Sequence, residues 1–225
     1  MLPVKNRMFF SVARLLNHWR IVLLFCGALL ALSSLFSTIA IASSAPQSDP
    51  VALLQFIANN MIHSLKAEKA SLKSNPSVVY SIANRYVVPY ADLSEMSRRV
   101  VPPATWNQAT PAQRAQFQKE FTRTLIRTYA SALTAYKDQT VQFYPVRGGV
   151  AGKNSVEVLS EIDSSDNQPI NVNYRLIRVG NIWRMIDLSV DGVDMLESFR
   201  SQFSDILSHG SMSALLKRMS EHNSR

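Results

Sequence analysis

The sequence predicts an α+β fold in which N-terminal helices pack on a curled antiparallel sheet of about four strands, with helices again at the C-terminus. Three observations carry this. From Asp49 to Tyr136 apolar residues recur every three or four positions. After Lys137 the period becomes two, over runs joined by connections too short for a parallel crossover. Beyond Gly192 the helical spacing returns, as Val193, Leu196, Phe199 and Phe203.

Each element has a local reason. Asp49-Pro50 is an N-cap and first-turn pair, followed by Leu53, Ile57, Met61 and Leu65 at four-residue spacing. Asn75-Pro76 opens a second helix with Val78, Val79, Ile82, Ala83 and Tyr86, which Pro89 terminates. Asp92 and Glu95 form a capping-box-like pair for a short helix through Val101, broken by Pro102-Pro103. Thr110-Pro111 with Gln113 starts the longest helix, whose stripe is Phe117, Phe121, Leu125, Tyr129, Leu133 and Tyr136. The strands are Thr140 to Tyr144, Ser155 to Ile162, Ile170 to Val179 and Ile182 to Val190. Turns fall at Gly148-Gly149, near Asp166-Asn167 and at Gly180-Asn181. Val156, Val158, Val172 and Tyr174 alternate with polar residues, giving one apolar face. Trp183, Met185, Ile186, Leu188 and Val190 do not alternate cleanly, which predicts apolar surroundings on both sides of that strand.

The amino terminus reads as an export signal. Lys5, Arg7, Arg14 and Arg20, with no acid among them, precede an uncharged apolar run from Ile21 to Leu32. Ala40-Ile41-Ala42 is an A-x-A cleavage site, so residues 1–42 are expected to be removed and the mature chain to start at about Ser43. The alternative is an uncleaved anchor, since the uncharged stretch extends from Ile21 to Ala45. Cys26 follows Phe25 inside the apolar core, which argues against lipidation. A single domain is expected over 43–220, followed by a polar, frayed tail at 221–225.

Cleavage takes four of the eight net positive charges with it. The mature chain is then only mildly basic, and its Lys and Arg are scattered, so nucleic-acid binding loses its support. It also lacks cysteine, so its core alone must stabilise it.

No reaction centre is evident. His63, His209 and His222 lack metal-ligand spacing, and there is no Walker loop, no G-x-S-x-G elbow and no catalytic cysteine. No metal, no cofactor and no catalysis are therefore expected. Asp187 interrupts an apolar strand and is the one candidate base, since a carboxylate in an apolar cavity has a raised pKa. The expected reading is nevertheless an outward-facing or backbone-bonded carboxylate, with Arg175 or Arg184 as an ordinary partner.

Two stretches carry a resemblance to a known family. The run W-R-M-I-D-L-S-V-D-G-V-D-M-L-E-S-F-R-S-Q-F from Trp183 to Phe203, and A-T-P-A-Q-R-A-Q-F-Q-K-E-F from Ala109 to Phe121, resemble the MlaC (toluene-tolerance) family of periplasmic phospholipid-binding proteins. The resemblance implies an NTF2-like cone with an apolar cavity between concave sheet and helices. It further implies a carrier that shuttles glycerophospholipids between an inner-membrane ABC transporter complex with an MCE-domain component and an outer-membrane lipoprotein and porin complex, maintaining outer-membrane lipid asymmetry. A monomer in the Gram-negative periplasm is expected, with phospholipid as cargo and no nucleic acid. The lining candidates are Met96, Val100, Phe117, Phe121, Leu125, Tyr129, Val141, Phe143, Val158, Val172, Tyr174, Met185, Leu188 and Val190. Arg98, Arg99, Arg147 and Lys153 are candidates for the headgroup phosphate. Burying each acyl methylene stabilises by roughly 0.8 kcal/mol, so such a cavity must be deep and dry. Two other classes compete: an NTF2-like isomerase-type enzyme using Asp187, and a periplasmic protein-binding module that exposes its apolar stripe.

Overall fold

The computed structural model describes residues 44–72, 75, 77–134, 139–164 and 167–224, with side chains undescribed at 130–134, 164 and 167. The chain divides into two units, Met1–Ser44 and Ala45–Arg225, and the second carries every described element. The expected signal segment 1–42, with Cys26, lies outside the described residues, as do Tyr136 and the side chain of Leu133. No helix among the described residues is long and apolar enough to cross a membrane.

Helix α1 spans Pro50–Ala67, where the Asp49 carboxylate accepts from the N–H groups of Val51 and Ala52 and Leu53, Leu54, Ile57 and Leu65 are buried. Helix α2 spans Ser77–Tyr86, with the Asn75 side chain accepting from the Ser77 N–H. Pro89 does not itself end α2; it sits in a 3₁₀ turn over Val88–Tyr90. Helix α3 spans Leu93–Val100, and the Asp92 carboxylate accepts from the Glu95 N–H at 2.9 Å. The reciprocal half of that capping box is not made. Asp92 N–H donates instead to the Met185 carbonyl at 2.8 Å, tying the helix start to the sheet, and the Glu95 carboxylate turns to Arg98 and Arg99. Pro102-Pro103 does more than break α3. Pro103 opens a further short helix, α4 (Pro103–Gln108), at the first-turn position where the missing N–H has no partner to lose. Helix α5, Pro111–Thr134, does start with a complete capping box: Gln113 N–H donates to Thr110 Oγ1 and Thr110 N–H to Gln113 Oε1.

The sheet is an antiparallel meander in the order β1 (Thr140–Phe143), β2 (Ser155–Ser164), β3 (Asn167–Val179), β4 (Ile182–Val190) and β5 (Val193–Asp194). The fifth strand was not legible. Val190 pairs with Val193 around Asp191-Gly192, whose φ angles of 47° and 82° make a two-residue hairpin where a direct passage from strand to helix is predicted. Val193 therefore lies on β5, 66 % exposed, and is not part of the helical stripe. Helix α6 begins at Met195 and runs to Ser208, capped by Asp194, whose carboxylate accepts from Glu197 N–H.

The unbroken apolar run of β4 has a specific cause. Arg175 pairs with Asp187 and Leu176 with Met185, so Ile186 is the extra residue of a β-bulge. The bulge lets consecutive side chains bury: Trp183 and Met185 join a cluster with Leu53, Leu54 and Ile57 of α1, while Ile186 joins a cluster built from the helices. That helical cluster also holds Met212, Leu215, Leu216 and Met219 of helix α7, Met212–Asn223. The tail expected to fray from 221 continues α7 for another turn, and Asn223 Nδ2 donates to the Glu120 carbonyl and to its Oε2. A third, smaller cluster joins Leu65, Leu72, Val79 and Ile82.

Candidate functional site

The register sets the candidate residues of the sheet into rows. Phe143 lies opposite Ser160, Ser160 opposite Val172, and Val172 opposite Val190. The next row is Val158, Tyr174 and Leu188, and the next Val156, Leu176 and Met185. Side chains two apart on a strand share a face, so these rows form one apolar surface crossing the central strands.

Packing divides the candidates. Met96, Val100, Phe117 and Phe121 are buried inside the helical cluster. There Phe117 stacks on Phe121 at 5.7 Å, and Phe121 meets Phe199 and Phe203 edge to face at 5.4 and 5.8 Å. Phe143, Val158 and Met185 are buried in the cluster under α1. Leu125, Tyr129 and Leu188 are half-buried at the margin of the first cluster; Val141 and Tyr174 hold the same position beside the second. Val172, though buried, and the half-buried Val190 belong to neither. The candidates outside the buried parts of the two large clusters are thus Leu125, Tyr129, Val141, Val172, Tyr174, Leu188 and Val190.

Ser160 is the residue that the alternation argument missed. It shares the parity of Val156 and Val158 and is 2 % exposed. The phenol of Tyr174 lies beside it. Burial raises the Tyr174 pKa, and the nearby Ser160 hydroxyl opposes that rise. Its period-two position, in step with Val156 and Val158, is the signal in the sequence that could have found it.

Asp187 is buried, and it bonds the backbone. Its Oδ1 accepts from Leu188 N–H at 2.9 Å and from Leu196 N–H at 3.2 Å, while Oδ2 faces the Arg175 guanidinium at 3.4 Å. Burial, and then the Asp194 carboxylate, push its pKa up to about 6 against the opposing N–H groups. Tyr129 is near enough that the Asp187 charge adds to burial in raising the phenol pKa. With both oxygens engaged, the carboxylate ties β4 to the start of α6.

The four basic candidates form two groups. Arg98 and Arg99 share the Glu95 carboxylate on α3. Arg147 and Lys153 belong to the β1–β2 loop, where Lys153 Nζ donates to the Arg147 carbonyl at 2.8 Å. Among the described residues no group of His, Cys, Asp and Glu is disposed to hold a metal ion.

The chain is 28% identical over 179 residues to the toluene tolerance protein Ttg2D of Pseudomonas putida, covering 80% of each. It is 24% identical over 197 residues to the intermembrane phospholipid transport system binding protein MlaC of Haemophilus influenzae, covering 80% of this chain and 84% of the relative. Among solved structures, a phospholipid-binding protein from Ralstonia solanacearum in complex with a phospholipid superposes with a TM-score of 0.72 at 29% identity, over 78% of this chain and 97% of that one. The model of the MlaC protein family matches residues 55–221, and the chain belongs to that family.

Proposed function

We propose that this chain is a periplasmic phospholipid carrier whose cargo keeps its acyl chains against the sheet face between the two large apolar clusters. The observation that carries this reading is the likeness, over 78% of this chain and 97% of the other, to a protein solved with a phospholipid bound. The geometry supports it. Leu125, Tyr129, Val172, Tyr174, Leu188 and Val190 offer apolar surface at the place where side-chain packing within the clusters stops. Acyl methylenes there gain roughly 0.8 kcal/mol each on leaving water, enough over two chains to hold a lipid through its passage across an aqueous compartment. The basic, acid-free amino terminus and the A-x-A site at Ala40 to Ala42 support export. On this reading the protein moves glycerophospholipid between an inner-membrane complex and an outer-membrane complex, maintains lipid asymmetry, and draws any energy from the partner.

The test is native mass spectrometry with lipid identification on protein recovered from a bacterial periplasm without detergent. A bound glycerophospholipid is expected, lost in Val172→Asp or Leu125→Arg while circular dichroism stays that of the wild type. A folded wild type that holds no lipid and extracts none from vesicles overturns the reading.

A further inference from the structure

Helices α3 and α6 flank a cleft of about 420 Å³. One wall carries Arg98, Arg99 and Pro102, the other Arg200, Ser201 and Ser204. The guanidiniums are held in place by two carboxylates, of which that of Glu197 itself lines the cleft. Glu95 accepts from Arg98 Nε and Nη2 at 2.9 and 2.8 Å and from Arg99 Nε at 2.8 Å, and Glu197 accepts from Arg200 Nη2 at 2.8 Å. A guanidinium has five N–H donors in a rigid fork, so these bonds fix orientation and leave most donors for a ligand. With both carboxylates counted, the three arginines still leave a positive charge around the cleft. Pro102, at φ −51° and ψ 135°, makes a stiff polyproline wall.

We propose that this cleft docks a carboxylate-bearing segment of a partner protein. The proposal rests on the carrier reading, since a carrier must be recognised where it loads or unloads. A lipid headgroup is a poor occupant. Val101, a lining residue of the cleft, is 1 % exposed, and Phe199 and Phe203 of α6 lie in the packed helical cluster, so among the described residues no apolar shaft leads inward for acyl chains. A lipid held here by its phosphate would leave those chains in water, at roughly 0.8 kcal/mol per methylene. A flat bilayer would present its headgroups to a convex basic face, not to a recess between helices. Asp and Glu side chains on an extended segment are slim enough to enter, and they match the forks bidentately.

The test titrates protein recovered as it matures in the expressing cell with fluorescein-labelled hexaglutamate. Salt-sensitive binding is expected, weakened about tenfold in Arg98→Glu/Arg200→Glu and also in the neutral Arg98→Gln/Arg200→Gln pair, which is free of any new repulsion with Glu95. Lys66→Glu/Lys69→Glu, the same charge change as the first pair but on and just beyond α1, is expected to leave affinity within about twofold. Equal weakening by the lysine pair overturns the proposal. So does displacement of the peptide by inorganic phosphate at equal concentration, or arginine-dependent binding to phosphatidylglycerol vesicles without peptide binding. Native mass spectra separate this from the carrier reading: lipid retained in the arginine variants supports the docking site, whereas lipid absent from a peptide-binding wild type overturns the carrier alone.

Discussion

Asp187 Oδ1 accepts the backbone N–H of Leu196 at 3.2 Å, joining the strand β4 to the first turn of α6 across the β5 hairpin. The same carboxylate is buried and lies near that of Asp194, the α6 cap, so two acids share one junction.

Stability should therefore depend on pH through this site. The folded pKa, about 6, lies above the usual carboxylate value, so between roughly pH 4 and 6 the folded state binds the proton more tightly than the unfolded chain. The stabilisation from this group is complete below the unfolded pKa and is lost as pH rises through 6. Asp187→Asn keeps an acceptor for Leu188 and Leu196 but cannot titrate. It is expected to flatten the pH 4–6 slope of unfolding free energy and to raise the urea midpoint at pH 7. A wild-type slope retained in the variant would show that other groups set it.

The helical cluster should respond as a packed core. Phe121 is fully buried and touches Phe117, Phe199 and Phe203. Phe121→Ala removes those ring contacts and leaves a void, with an expected loss of roughly 3–5 kcal/mol in urea unfolding. Phe121→Leu keeps most of the volume and should lose less than half of that. If both cost under about 1 kcal/mol, the cluster is not the packed core described here.

Such core residues were the easiest to read from the sequence and the hardest to assign a role. Four-residue spacing marked Phe117, Phe121, Leu125 and Tyr129 as one stripe, yet the first two are inside an aromatic cluster and the last two at its edge. Periodicity reports which side of a helix is apolar; what stands opposite depends on α6 and α7, far along the chain. The bulge at Ile186 is a similar case, because it needs the pairing of β3 with β4, although the broken alternation around it was visible. The α5 capping box is local, and there the residue types alone were sufficient. The grouping of Arg200 with Arg98 and Arg99 is not legible in the sequence, because it exists only once α3 and α6 meet.

The hairpin that separates β4 from β5 supplies a backbone test. Gly192 has φ 82° and nothing within 4 Å of where a Cβ would stand, so a side chain meets conformational strain and no clash. Gly192→Ala is expected to cost about 1–2 kcal/mol. Gly192→Asn, better tolerated at positive φ, should cost less than Ala despite its larger side chain. The reverse order would mean that space, not backbone geometry, governs this turn.

The last turn of α7 is expected to carry stability that its polar sequence does not advertise. Glu120 is 6 % exposed, its nearest cation among the described residues is Arg123 at 3.9 Å, and Asn223 Nδ2 donates to its Oε2 at 2.8 Å and to its carbonyl at 3.0 Å. Thr124 Oγ1 also reaches Asn223 Oδ1, at 3.2 Å. Removing the amide leaves a buried carboxylate short of a donor, a loss on the order of 1–3 kcal/mol for Asn223→Ala. Asn223→Asp replaces the donor with a second acid and should cost more at pH 7, with part of the loss recovered on acidification to pH 4 as one carboxyl protonates. Thermal unfolding of the three proteins at both pH values decides the matter. Equal midpoints throughout would show that α7 ends before Asn223 in solution and that Glu120 finds its donors in water.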